Sequence, residues 1–211
     1  MHYSLVLIGA HDGSKTLPLI MKASKTGKVL LVEPVPFLFR RLQTNTAQVP
    51  NITLVNACVS FVDGVVEFTA PKEDISSPGT VYDQLGSLSA DHATNHDPGI
   101  APHFEMILSE STTFGTLLST HGVTSIDTLF TDTEGYDCEL LPTFPFQSVV
   151  PRRIVFEYKH SDGTFRVGRK LGDLLIALDV LGYNIQVADN ENMVAILRRP
   201  VADPPTPNLA Q

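Results

Sequence analysis

Leu5-Val6-Leu7-Ile8-Gly9-Ala10-His11-Asp12-Gly13 decides the fold. A continuous apolar run stopped by glycine is the pattern of a strand buried on both faces, as in a parallel sheet covered by helices. Val29-Leu30-Leu31-Val32 is a second such run, closed by Glu33-Pro34, and Ile52-Thr53-Leu54-Val55 is a third, followed by Asn56-Ala57. Ile126 to Phe130 and Ile154-Val155-Phe156 repeat the pattern, each leading into carboxylates: Asp132 and Glu134 after the first, Glu157 after the second. Helices are expected between the strands. Pro36 opens one, where its missing N–H would be unpaired in any case. Val167, Leu171, Leu174, Leu175, Leu178 and Leu181 step by three and four along another, and Gly182 supplies its left-handed end. Tyr183 to Val187 and Met193 to Leu197 read as a terminal antiparallel hairpin, and Val65 to Phe68 as a short strand paired with a neighbour. The fold class is therefore α/β, with a mostly parallel sheet.

The turn Gly9-Ala10-His11-Asp12-Gly13 between strand and helix, with Glu33 ending the next strand, points to a nucleoside-containing cofactor. Glycines let a ligand approach the backbone at the carboxyl end of the first strand, and the acid after the second accepts hydrogen bonds from ribose hydroxyls. A pyrophosphate cradle needs the spacing GxGxxG, and position 11 is His, which disfavours NAD. A cofactor without phosphates, such as S-adenosyl-L-methionine, needs only the close turn and the ribose acid.

Composition narrows the partners. The 211 residues carry 15 Lys+Arg against 23 Asp+Glu, a net charge of −8, so neither nucleic acid nor an anionic membrane surface is an expected partner. Hydrophobic residues at 43% supply one core, and residues 1–199 are read as a single domain. Cys58 and Cys138 are expected as reduced thiols in a cytoplasmic protein, and no secretion or membrane-insertion signal is visible. Residues 71–104, with Pro71, Pro78, Pro98, Pro102 and three glycines, read as a long loop suited to a lid, and 200–211 as a disordered tail.

Gly9 to Gly13, Val32-Glu33-Pro34, Asn56-Ala57, Asp132-Thr133-Glu134-Gly135, Phe156-Glu157-Tyr158 and Gly182-Tyr183 occur in the order seen in FkbM-type S-adenosylmethionine-dependent methyltransferases. The chain resembles that family over residues 4–198, and Asp-x-Glu-Gly is the most specific element; Ser87 lies where the family often has a serine-rich segment. The resemblance implies a class I methyltransferase (Rossmann-like) fold with helices on both faces of the sheet, and O-methylation of a hydroxyl on a sugar, polyketide or other small molecule. It places the cofactor at Gly9, Ala10, His11, Asp12, Gly13, Glu33, Pro34, Asn56, Ala57 and Asp132. Two positions depart from the pattern: Leu7 stands where the family has an acid, and His11 where it has Asn. Asp12 is a partial substitute for that acid. The chain begins at its first strand, so the acceptor pocket is expected to be open, or closed by residues 71–104 or a second subunit of a homo-oligomer.

Asp132, Glu134, Glu157 and His160 are the candidate catalytic residues. On a continuing strand Asp132 and Glu134 would share a face; the competing reading makes Asp132 the cap of the following helix. Glu157 faces the site or pairs with Lys159 or Arg153. Methyl transfer to oxygen needs aligned reactants and a proton acceptor, and His160 is a candidate base, with His92, His96 and His103 as rivals. His92 and His96 would share an ion on a helix, but Asn95 and Asp97-Pro98-Gly99 argue against one there, so no metal is assigned. Cys138, beside Glu139, lacks the positive neighbour a thiol nucleophile requires. A binding or scaffolding protein that kept this fold without turnover is the competing class, motivated by Leu7, and an NAD-dependent oxidoreductase is third.

Overall fold

The computed structural model describes residues 1–75 and 81–198; the expected tail from Pro200, and Pro78 and Gly79 of the long loop, lie outside them. Strands β1 (His2–Ile8), β2 (Lys28–Val32), β3 (Ile52–Val55), β4 (Cys58–Val59), β5 (Gly64–Pro71), β6 (Phe104–Thr112), β7 (Ser125–Thr131), β8 (Arg153–Glu157), β9 (Tyr183–Val187) and β10 (Asn192–Leu197) form two sheets. The larger has the order β3-β2-β1-β7-β8-β10-β9. Its first five strands are parallel, while β10 runs antiparallel to both β8 and β9. Every apolar run named above is one of these strands, and the terminal hairpin forms as expected. This is the mostly parallel α/β sheet that those runs predict.

Helices α1 (Leu17–Ala23), α2 (Pro36–Thr46), α3 (His92–His96), α4 (Phe114–Thr120), α5 (Asp137–Leu140) and α6 (Arg169–Val180) fill the connections. Alternation along β1 divides the core between the sheet's faces. Leu5 and Leu7 pack with Ile20 of α1 and Leu42 of α2, whereas Val6 and Ile8 join Phe114, Leu117, Leu140 and Leu174 from α4, α5 and α6. Pro36 is the first residue of α2. Leu171, Leu174 and Leu178 bury the inner stripe of α6, while Val167 and Leu181 fall outside the helix and are exposed. Among the described residues, no helix is long and apolar enough to cross a membrane.

The second sheet, β4-β6-β5, departs from the expectation. Val65 to Phe68 belong to β5, whose partner is not a sequence neighbour but β6, across the 71–104 segment. That segment is not structureless where it is described. It carries a 3-10 turn at Val81–Gln84, then α3, then a 3-10 stretch at Pro98–His103, and buries Leu85, Ala93 and Ile100 together. The helix expected to fail at His92–His96 forms because the breakers act after it. Asp97 is already extended (φ −155°), as a residue before proline prefers, and its side chain accepts from the N–H of Gly99.

Gly9 has a structural task beside the one expected. Its φ is +79°, and a Cβ there would lie 1.8 Å from the Asp132 carbonyl oxygen. The missing side chain therefore makes room for the backbone of the neighbouring strand's end. Gly13, at φ +73°, likewise makes room for the Leu42 side chain of α2. Gly9→Ala combines a left-handed backbone with a backbone clash, and is expected to destabilise the fold by about 3 kcal/mol or more in a denaturant titration; a loss below about 1 kcal/mol would show that the β1 and β7 ends separate freely.

Candidate functional site

A cleft opens at the carboxyl ends of β1, β2 and β7, where strand order reverses and α/β sheets characteristically bind ligands. Gly9, Ala10, His11, Asp12, Gly13, Glu33, Pro34, Ala57, Asp132 and Glu134 all line it. Asn56 does not. It is exposed, and its amide donates to the carbonyls of Glu33 (2.7 Å) and Pro34 (3.1 Å), bracing the turn from behind.

Glu33 holds the two loops in place. Its Oε2 accepts from the His11 N–H (2.8 Å) and its Oε1 from the Val35 N–H (2.9 Å), which leaves one further lone pair on each oxygen. Burial pushes its pKa up to about 7, against those hydrogen bonds and the nearby His11. His11 occupies the left-handed region (φ 52°), which Asn and His tolerate better than most residues; the backbone thus accounts for His at a position where the family has Asn. Leu7 is core, packed among Leu5, Leu31 and Ile20, so no acid is presented from that position. Asp12 does stand in the cleft wall, but its Oδ1 caps its own turn, accepting from the Ser14 N–H (2.8 Å) and Oγ (2.6 Å).

The part of the 71–104 segment nearest the turn closes over it. Asp83, Gln84, Gly86 and Leu88 complete the wall, and sequence reading missed all four. Nothing in their local pattern separates them from an ordinary loop. The Nε2 of His11 lies 3.4 Å from Asp83 Oδ1, and its Nδ1 lies 3.3 Å from Asp12 Oδ1. Burial alone would lower the His11 pKa, but the Asp83 hydrogen bond and the charges of Glu33, Asp83 and Asp12 outweigh it and raise it to about 9. Imidazolium thus joins Lys15 as a cation in the cleft wall. Ser87 ties the same segment to the opposite wall, donating to the Glu134 carbonyl at 3.0 Å.

Asp132 and Glu134 do not share a strand face, because β7 ends at Thr131. The Asp132 N–H donates to the Ile8 carbonyl (3.0 Å), while its carboxylate opens to the cleft and takes no hydrogen bond from a described residue. Asp132 is not the helix cap either. Helix α5 takes no side-chain cap among the described residues; Asp137, its first residue, instead accepts from the N–H (3.0 Å) and hydroxyl (2.8 Å) of Thr133, back across the turn. Although the residue is exposed at the cleft mouth, the protein packed around it costs its carboxylate part of its hydration, and Glu134, Asp137 and Glu191 add repulsion; both raise its pKa well above the usual carboxylate range. Glu134 is left-handed (φ 51°) and turns its Oε2 to within 3.0 Å of His92 Nε2.

Glu157 and His160 stand outside the cleft lining. Glu157 is buried beside His160 (3.4 Å), not paired with Lys159, which binds Glu191 instead. Burial and the surrounding acids push its pKa up to about 10. His160 is a poor base: its Nδ1 lone pair already accepts the Phe165 N–H (2.8 Å), and burial lowers its pKa to about 3. His160 instead joins His92, His96 and Glu134, a donor set that the sequence reading had not assigned to a metal.

The family described as Methyltransferase FkbM domain matches residues 8–198. No curated protein matches the chain. Among solved structures, the chain is similar to precorrin-6y C5,15-methyltransferase from Geobacter metallireducens GS-15 at 14% identity and a TM-score of 0.47, covering 94% of this chain and 82% of that one. It is similar to ribosomal protein L11 methylase from Lactobacillus delbrueckii subsp. bulgaricus at 14% identity and a TM-score of 0.44, covering 94% and 71%. Fibrillarin from Aeropyrum pernix, solved with natively bound S-adenosyl-L-methionine, is similar at 11% identity and a TM-score of 0.44, covering 92% and 66%.

The His11 latch has a pH signature. A histidine whose folded pKa is raised above its unfolded value stabilises fully below the unfolded value and loses that contribution as pH rises through the folded one. The stability difference between the wild type and His11→Asn, which suits the left-handed backbone, is expected to be greatest below pH 6.5 and to shrink as pH rises to about 9. Urea titrations across that range measure it, and a pH-independent difference would mean that His11 carries no charge in the fold.

Proposed function

Because this chain belongs to the methyltransferase FkbM domain family, we propose that it is an S-adenosyl-L-methionine-dependent methyltransferase acting on a hydroxyl oxygen of a small molecule, of the sugar or polyketide class. The observation that carries this reading is the placement of Glu33 and Asp132 on one cleft at the point where strand order reverses. Glu33 has a free lone pair on each oxygen for the ribose hydroxyls, and Gly9 to Gly13 supply a close backbone wall. When bound, the cofactor supplies the electrophilic methyl group. Asp132, the unpartnered carboxylate in the wall, orients the acceptor hydroxyl and takes its proton. Its raised pKa makes the ionised form a stronger base than an ordinary aspartate. A carboxylate there also favours a sulfonium over its neutral product.

The competing reading, a methyltransferase-fold binding or scaffolding protein without turnover, draws on Leu7, where the family's acid is replaced by a core residue. Calorimetry with S-adenosyl-L-methionine separates the two, since a scaffold of that kind shows no saturable binding. In the enzyme, Glu33→Gln is expected to weaken binding about tenfold or more, as loss of a hydrogen bond to a charged group costs about 1.5–3 kcal/mol. Circular dichroism on the same sample separates this from loosening of the turns that Glu33 braces. An unchanged dissociation constant would remove Glu33 from the cofactor site.

Asp132→Asn keeps shape and removes the base. It is expected to lower the rate of S-adenosylhomocysteine release, measured with a panel of hydroxylated acceptors, by about 10² or more, with cofactor affinity changed only a few-fold. A wild-type rate in the Asn variant would exclude Asp132 from the chemistry.

A further inference from the structure

Three histidines and a carboxylate from separate parts of the chain meet behind the cleft wall. His92 and His96 lie one turn apart on α3, Glu134 comes from the turn after β7, and His160 from the loop after β8. One donor atom of each, a ring nitrogen or a carboxylate oxygen, lies within 4.8 Å of all the others. The ring centroids are 4.7 Å apart for His92–His96, 5.0 Å for His92–His160 and 4.8 Å for His96–His160. His92 and His160 are buried, and His96 Nε2 is buried with no hydrogen-bond partner among the described residues.

Packing alone does not account for this choice of residues. Phe165 sits against His96 (4.4 Å between centroids) and His160 (4.9 Å), so apolar rings fit the same space without stranding a polar nitrogen. The backbone is also committed to the arrangement. Glu134 is a non-glycine residue in the left-handed region, and at Gly135 (φ +97°) a Cβ would lie 3.2 Å from the His160 carbonyl oxygen. Strain of this kind persists where the surroundings over-determine it, and it clusters at functional sites.

The protonation states suit coordination. Burial lowers His92 and His96 to about 4 and His160 to about 3, so all three are neutral imidazoles near neutral pH, the form that ligates metals. Glu134 is raised to about 8, chiefly by burial, so its proton is donated to the His92 Nε2 lone pair across 3.0 Å. The His92 Nδ1–H then faces the Thr164 hydroxyl at 3.4 Å, the outer partner that a ligating histidine normally has. An ion held between Nε2 and the carboxylate replaces that one proton. Coordination by His160 exchanges one of its two present contacts, with the Phe165 N–H or with Glu157, for the ion.

We propose that His92, His96, Glu134 and His160 bind one divalent transition ion of the zinc class, which pins the 81–104 segment to the carboxyl edge of the large sheet. Three imidazoles and one carboxylate suit zinc and its neighbours and not magnesium or calcium, which favour oxygen. Zinc–nitrogen bonds of about 2.0–2.1 Å set tetrahedral donors about 3.3 Å apart, so the most widely separated donors close by at most about 1.5 Å on binding. The site stands whether or not methyl transfer is the chemistry of the neighbouring cleft.

The test uses the full chain stripped with chelator, titrated with Zn²⁺ in a calorimeter and with Co²⁺ by visible absorption. One ion per chain is expected, with a cobalt spectrum of low coordination number and a raised melting temperature in the presence of zinc. His96→Ala removes a ligand but no hydrogen bond to Nε2, so its metal-free melting temperature should match that of the wild type while zinc affinity falls by about 100-fold or more. His96→Phe, which refills the ring volume, carries the same test if the alanine variant fails to fold. Absence of stoichiometric binding in the wild type, or undiminished zinc affinity in the position-96 variant that folds, overturns the proposal.

Discussion

The Asp132 carbonyl fills the space that a side chain on residue 9 would need, and the site depends on that approach. It lets the ends of β1 and β7 close on each other, with the Asp132 N–H bonded to the Ile8 carbonyl. The N–H groups of Gly9 and Ala10 turn the other way, to the Val32 carbonyl at the end of β2. Three strand ends are thereby knitted together at the reversal of strand order. The groups they carry, Glu33, the glycine turn and Asp132, converge on one cleft. Any side chain at position 9 would separate them before it touched a ligand.

Convergence has an electrostatic consequence. Asp132, Glu134, Asp137 and Glu157 crowd one edge of the sheet, and burial together with mutual repulsion raises the pKa of each or holds it raised against local hydrogen bonds. His11 is a cation beside them, held charged by Asp83 from the segment that closes over the turn. Of the four acids, Asp132 and Glu134 line the cleft, and a positive charge placed beside them would favour their ionised forms. The same crowding explains why neighbouring acids divide their tasks. Asp137 is used up by the N–H and hydroxyl of Thr133, Glu134 shares a proton with His92, and the Asp132 carboxylate is left open to the cleft.

Much of this was legible in the residues. Continuous apolar runs ended by Gly9, Glu33 and Asp132 mark strands buried on both faces, since only a sheet covered on each side makes such runs soluble. The terminal hairpin and the start of α2 at Pro36 follow from period-two alternation and from proline chemistry. The second sheet was not legible, because β5 and β6 lie on either side of the 71–104 segment and pairing over that distance leaves no local trace. The breakers at Asp97-Pro98 were read as preventing a helix, whereas they terminate one.

The sequence by itself determined the layered sheet, the family, and which residues stand at the carboxyl ends of the strands, because those depend on periodicity and on short-range chain chemistry. Tertiary structure alone decided what each of those residues touches. It made Asn56 a brace outside the cleft, Asp137 the acceptor that holds Thr133, and His160 a partner of His92 and His96 in place of a base. Those assignments rest on contacts between segments tens of residues apart. Such contacts are fixed by how helices and loops pack on the sheet, which is a property of the whole folded chain and not of any local pattern.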